Sequence, residues 1–266
     1  MNHLLREHAP ITDAGWQLLD SEAKDRLTPA LATRKLVEFS GPHGWEHSAT
    51  NLGRTDSLPP APSEGVSGRR RRVLPLVEVR ADFELSRAEL RDADRGADDT
   101  DLNALDNAAH QTAVAENVAV FHGWQGAISG VAEASPHEPI PLGEAAGGYP
   151  RPVATAVERL LLSGIAGPYG LALGNEYYRR VIETAEGGGY PLLEHLRKIV
   201  EGPIVWGPGV IGAVVLSLRG GDFIFDCGQD VSIGYQSHDG EAVRLYLEES
   251  FSFHVATPEA AVALQP

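Results

Sequence analysis

The chain has 266 residues, 42% of them hydrophobic and 22% charged, the balance of a globular protein with a substantial core and not of a disordered or fibrous one. A formal net charge of −15 opposes non-specific attachment to nucleic acid or anionic lipid, both of which need a basic surface. The single cysteine, Cys227, excludes an intramolecular disulfide and a cysteine-based zinc cluster.

Met1–His8 lacks an apolar core of signal-peptide length, and no run of about 18 apolar residues occurs, so the expected address is the cytoplasm. Residues 13–33 predict an amphipathic helix: Trp16, Leu19, Ala23, Leu27 and Leu31 recur at spacings of three and four, Thr12 or Asp13 can cap the start, and Pro29 predicts a kink or late break. A short strand, Lys35–Phe39, follows. Residues 41–72 hold four prolines, several glycines and the basic run Arg69–Arg72, with no strong core pattern. Such a stretch is a linker or an arm whose partner lies on another chain. Extended residues 73–79 follow it, which favours a long two-stranded excursion over a domain boundary.

Ser86 and Glu89 have capping-box spacing and open a short helix ending at Gly96. The longest helical pattern runs from Asp101 to His122, with Leu102, Leu105, Ala109, Ala113, Val114, Val118 and Phe121 as its stripe and Gly123 as its stop. Residues 125–150 read as a loop. Helices are then predicted at Val153–Leu162, Asn175–Ala185 and Leu192–Val200, and strands at Tyr169–Leu173, Ile204–Trp206 and Gly212–Leu218. Phe223–Cys227 reads as a strand that buries a small thiol. Val243, Leu245 and Leu247 alternate with polar neighbours, then Phe251, Phe253 and Val255 continue out of phase, which predicts a bulge near Glu248-Glu249.

Catalytic and ligand motifs are absent. No Walker-type loop, no Gly-x-Gly-x-x-Gly, no His-Glu-x-x-His and no Gly-x-Ser-x-Gly occurs. The ten histidines are scattered; His43 and His47 flank Trp45 without an acid partner placed beside them. Catalytic, cofactor and metal residues are therefore all expected to be none. The Arg69–Arg72 run reads as a partner for another protein surface, given the acidic whole.

Several segments together resemble the encapsulin family of linocin-like shell proteins. They are Ala9–Thr12 before the helix of Trp16, Gly41-Pro42-His43-Gly44-Trp45-Glu46, Pro75–Arg80, Phe83–Ser86, Arg95–Ala97, Gly167–Tyr169, Gly189–Leu192 and Arg219–Phe223. The sharpest block is Gly228-Gln229-Asp230-Val231-Ser232-Ile233-Gly234-Tyr235, followed by Ala242–Tyr246.

The resemblance implies an α+β fold of the tailed-phage major capsid type, with a peripheral domain built on a long spine helix and a sheet, an axial domain and an extended loop. Laid on this chain, residues 1–40 give the first helix and strand of the peripheral domain, 41–80 the extended loop, 81–139 the peripheral domain with the spine helix (101–122), 140–221 the axial domain, and 222–266 strands returning to the peripheral domain. The implied function is a non-enzymatic shell subunit that self-assembles into an icosahedral nanocompartment in the bacterial cytoplasm. Its implied cargo is an enzyme held by a C-terminal targeting peptide, a dye-decolourising peroxidase or a ferritin-like protein, with neither membrane nor nucleic acid as partner. The matching groove residues are Leu27, Leu31, Arg34, Glu38, Asp230, Val231 and Ile233. The segment Glu186-Gly187-Gly188-Gly189-Tyr190 resembles the lining of the five-fold pore. Some members bind a flavin against an aromatic ring; the matching position here is Ala88, so no cofactor is expected. The alternative readings are a prophage capsid protein and the protease or bacteriocin activity that older descriptions attach to the family.

Overall fold

The protein is described here by a computed structural model, which covers residues 3–143, 146–186 and 188–266. In chain order its elements are α1 (Asp13–Ala30), β1 (Glu38–Ser40), β2 (Ala49–Ser57), β3 (Arg69–Pro75), β4 (Val77–Ser86), α2 (Arg87–Asp94), α3 (Asn103–His122), α4 (Val131–Ala134), β5 (Ile140–Pro141), α5 (Pro150–Leu162), β6 (Tyr169–Leu173), α6 (Asn175–Glu183), α7 (Leu192–Val200), β7 (Ile204–Trp206), β8 (Ala213–Ser217), β9 (Phe223–Cys227), β10 (Ser232–His238), β11 (Ala242–Val255) and β12 (Ala261–Gln265).

The long strand β11 organises the first sheet. Antiparallel β4 pairs with one edge of it from Ala242 to Phe251, while the other edge is taken by β10 at Val243–Glu248 and then by β9 at Phe251–Val255; β1 adds to β9 in parallel. Helices α1 and α3 lie on this sheet, where Trp16, Leu19 and Leu27 meet Leu105, Ala109, Phe83 and Leu245. The Thr12 hydroxyl accepts from Gly15 N–H at 3.0 Å and starts α1 as expected. Pro29 lies in the last turn, so α1 stops at Ala30 instead of running on to residue 33. Ser86 caps α2, but Glu89 does not close a capping box: its carboxylate accepts from Asp101 N–H at 3.0 Å and ties α2 to the start of α3.

The second sheet has the order β5-β12-β8-β6-β7, with α5 and α7 packed through Leu160, Leu192 and Leu196. Strand β12 corrects the expectation that all of residues 222–266 return to the first sheet, because it pairs with β8 and β5. Ala261–Leu264 is buried on both faces, as befits a strand in the interior of the second sheet between β5 and β8. The expected loop 125–150 also contains α4 and β5. No bulge lies at Glu248-Glu249; β11 passes through in register with β4, and the irregularity is on β10 between Tyr235 and Ser237. The expected change of phase is itself absent: Val243, Leu245, Leu247, Phe251, Phe253 and Val255 are all odd-numbered and share one face of β11, which is buried on both faces from Leu245 to Phe253.

Between β1 and β4 the chain runs out into an arm. Strands β2 and β3 pair only with each other, from Ala49 opposite Pro75 to Ser57 opposite Arg69, and most of their side chains are exposed. Two strands without a covering layer are marginal in water.

Candidate functional site

A groove of about 420 Å³ opens between the second half of α1 and the first residues of β10. Leu27, Leu31 and Ile233 form its apolar floor, Val231 its wall, and Arg34 and Asp230 its polar end, so these predicted residues converge as expected. Glu38 does not join them. Its carboxylate accepts from Gly221 N–H at 2.9 Å, in a separate cleft beside the turn before β9. Sequence reasoning missed three charged residues of the rim, Arg6, Asp20 and Lys24; Arg6 and Asp20 form an ion pair at 2.7 Å.

Arg34 is the electrostatic centre. Its guanidinium donates to Glu116 at 2.8 Å, to Asp230 at 2.5 Å and to Glu249 at 2.9 Å, and it lies 5.3 Å from the Phe39 ring and 5.5 Å from that of Phe225. Burial alone would lower its pKa, but the three carboxylates outweigh this and raise it, so the cation is permanent. Glu116 and Glu249 are fully buried, and each keeps one oxygen with no donor from another group. Desolvation raises both carboxyls, and the facing Glu116 carboxylate raises Glu249 further, well above the usual range.

Asn117 supports the groove from beneath. Its amide oxygen accepts from Ala32 N–H at 3.0 Å and Thr33 N–H at 3.2 Å, and its amide nitrogen donates to Ala30 O at 2.9 Å and Pro208 O at 3.1 Å. One side chain thereby terminates α1 and joins it to the loop after β7. Cys227 is fully buried, and desolvation pushes its thiol up to about 12, so it is no nucleophile at neutral pH.

The turn resembling a pore lining is closed by Glu186 N–H donating to Tyr190 O at 2.8 Å. The Glu186 carboxylate meets His195 Nδ1 at 2.9 Å, and Gly188 and Gly189 take φ of 94° and 81°, which favour glycine. Tyr190 is 39% exposed, with Lys198 Nζ 5.0 Å from its ring centroid. Gly187 lies outside the described residues. Ala88 is exposed on α2. The expectation of scattered histidines fails at one place, where His43, His47 and Asp226 bring their ligand atoms within 4.8 Å of one another. Among the described residues, no helix is long and apolar enough to cross a membrane.

The profile of the linocin M18 family, described as "Encapsulating protein for peroxidase", matches residues 1–252. The chain is 45% identical to the "Type 1 encapsulin shell protein" of Rhodospirillum rubrum, an alignment covering 100% of this chain and 97% of that one. That relative is named for a structural role, not an enzymatic one. A virus-like particle from Pyrococcus furiosus has the same fold, with a TM-score of 0.65 at 18% identity over 94% of this chain and 99% of that one. The capsid of an empty GTA particle follows with a TM-score of 0.53 at 16% identity, over 89% of each chain. Sheet, spine helix and arm are thus those of a capsid-type subunit, and the chain belongs to the encapsulin family.

Proposed function

We propose that this chain is the structural subunit of a closed icosahedral shell in the bacterial cytoplasm, and that the groove between α1 and β10 holds a short peptide of an enclosed enzyme. The observation that carries the shell is the arm: β2 and β3 have no third strand and no covering layer from their own chain, with Val66 59% and Val73 46% exposed. A neighbouring copy supplies the missing surface, and the exposed Arg69–Arg72 run suits an acidic partner such as this chain itself. In this reading residues 41–80 are the extended loop, 1–40 and 81–139 with most of 222–266 form the peripheral domain around α3, and 140–221 with β12 form the axial domain. Purified under native conditions, the chain is expected to elute as a large assembly and to appear as uniform hollow particles by electron microscopy. Replacing residues 53–71 by a short turn is expected to leave folded subunits that no longer close. A stable monomer or dimer of the unaltered chain would refute the shell.

For the groove, Leu27, Leu31, Val231 and Ile233 would seat apolar anchors of the peptide, while Arg34 and Asp230 fix its register. The family description names a peroxidase, so a dye-decolourising peroxidase is the first cargo class, with ferritin-like proteins the second. Thr28 is exposed on the groove rim and contributes nothing to the core. Thr28→Trp is therefore expected to fill the groove, leave assembly intact, and lower co-purification of a peptide-tagged reporter about tenfold or more. Unchanged loading would place the peptide elsewhere. Glu186, Gly188, Gly189 and Tyr190 are proposed as the lining of an opening at a symmetry axis, where the Glu186–His195 pair would bias which ions pass.

A further inference from the structure

A cluster at the root of the arm is used by neither the shell contacts nor the groove. The loop from β1 to β2 lies against the end of β9: His43 N–H donates to Cys227 O at 3.0 Å, and Gly44 N–H donates to Gly228 O at 2.8 Å. Gly41 permits this approach, since it takes φ of 113° and a Cβ there would stand 2.4 Å from Cys227 O. His47 N–H closes the turn on Gly44 O at 3.1 Å. Both imidazoles consequently face one carboxylate. His43 Nε2 is 2.9 Å from Asp226 Oδ1, His47 Nε2 is 3.0 Å from Asp226 Oδ2, and the ring centroids are 4.8 Å apart.

The three groups form a ligand set with its own support. Asp226 is buried on β9, and the Thr50 hydroxyl donates to Oδ2, with Ser252 behind it; His43 Nε2 also meets Ser40 Oγ at 3.0 Å. The Thr50 and Ser40 hydroxyls hold the Asp226 carboxylate and the His43 ring in orientation, as outer-shell partners hold metal ligands. The histidine side chains are 41% and 28% exposed, which leaves an entry path and an open coordination position. A divalent ion satisfies all three at once. Ligands about 2.0–2.1 Å from a tetrahedral zinc ion lie roughly 3.3 Å apart, within reach by small rotations of the two solvent-side rings.

We propose that His43, His47 and Asp226 form a binding site for a divalent transition-metal ion of the zinc class, fastening the root of the β2–β3 arm to the first sheet. Two imidazoles and one carboxylate suit zinc, cobalt or nickel and disfavour calcium or magnesium, which prefer all-oxygen shells. The residues bridged lie 183 and 179 positions apart, so a bound ion would cross-link the start of the arm to the strand beneath it.

The test uses the assembled protein, stripped with a chelator and titrated with zinc sulfate by calorimetry. Uptake of about one ion per chain, with a Kd of about 1 μM or tighter, is expected. Cobalt(II) in its place should give visible ligand-field bands. His43→Ala with His47→Ala, both on the solvent side, should abolish uptake and bands while particles still form, and His137→Ala should change neither. Zinc should raise the melting temperature of the unaltered particles and not that of the double variant. No stoichiometric uptake, or uptake that survives the double substitution, overturns the site and leaves a hydrogen-bonded cluster only.

Discussion

Arg34→Ala is expected to cost about 3–5 kcal/mol of subunit stability, because it strands buried carboxyls without their counter-charge. Glu116 and Glu249 are wholly out of water, and the Arg34 guanidinium bonds both. Removing it leaves an interior charge with no solvent to take its place, at a site where α3 and β11 cross. Chemical denaturation of the subunit measures the loss, and a value below about 1 kcal/mol would contradict the arrangement. Arg34→Met combined with Glu116→Gln and Glu249→Gln should recover most of it, since taking out a whole buried charge cluster is far less costly than breaking it.

The same pair sets a pH dependence. The folded-state pKa of Glu249 is raised above its unfolded value by desolvation and by Glu116. Its contribution is fully present below the ordinary glutamate range and is lost as pH climbs through the raised value. Glu249→Gln is nearly the same shape and cannot titrate. Stability should therefore fall less between mildly acidic and mildly alkaline buffer in that variant than in the unaltered chain. Parallel curves for the two would exclude the raised Glu249 carboxyl as the cause.

Asn117→Leu is expected to lower stability by about 3 kcal/mol or more, although leucine has greater apolar surface. The amide serves Ala32 N–H, Thr33 N–H, Ala30 O and Pro208 O at once, and the side chain is fully buried. An apolar side chain of similar size leaves those groups inside with fewer partners. The loss should appear as earlier denaturation together with weaker peptide loading, because Leu31 and Arg34 follow directly after the turn that Asn117 holds. Stability equal to that of the unaltered chain would mean the backbone groups find other bonds.

The helical stripe of α3 shows how far pattern reading reaches. Leu105, Ala109, Ala113 and Phe121 are buried as their spacing predicts. Val114 and Val118, read as core, are half-buried where the loop at Gly209 crosses the helix. Thr112, Glu116 and Asn117 are buried although polar. Nothing in the local sequence marks them, since the partners of Glu116 and Asn117 lie 82 to 91 residues away. Glu38 fails for the opposite reason. It stands close to Arg34 in the chain, but β1 carries its side chain to the Gly221 turn and out of the groove.

Periodicity, capping residues and the ordered family segments were enough to specify every helix but the short α4, most strands, the capsid-type architecture and the convergence of α1 with residues 230–233, because each depends on neighbours within a few positions or on a shared pattern. Which strand pairs with which, the passage of β12 to the second sheet, the carboxyl pair behind Arg34 and the meeting of His43 and His47 with Asp226 were decided only by the folded chain. Those features arise where segments far apart in sequence must satisfy charges and hydrogen bonds away from water, and the residue types alone do not say which distant partner will do so.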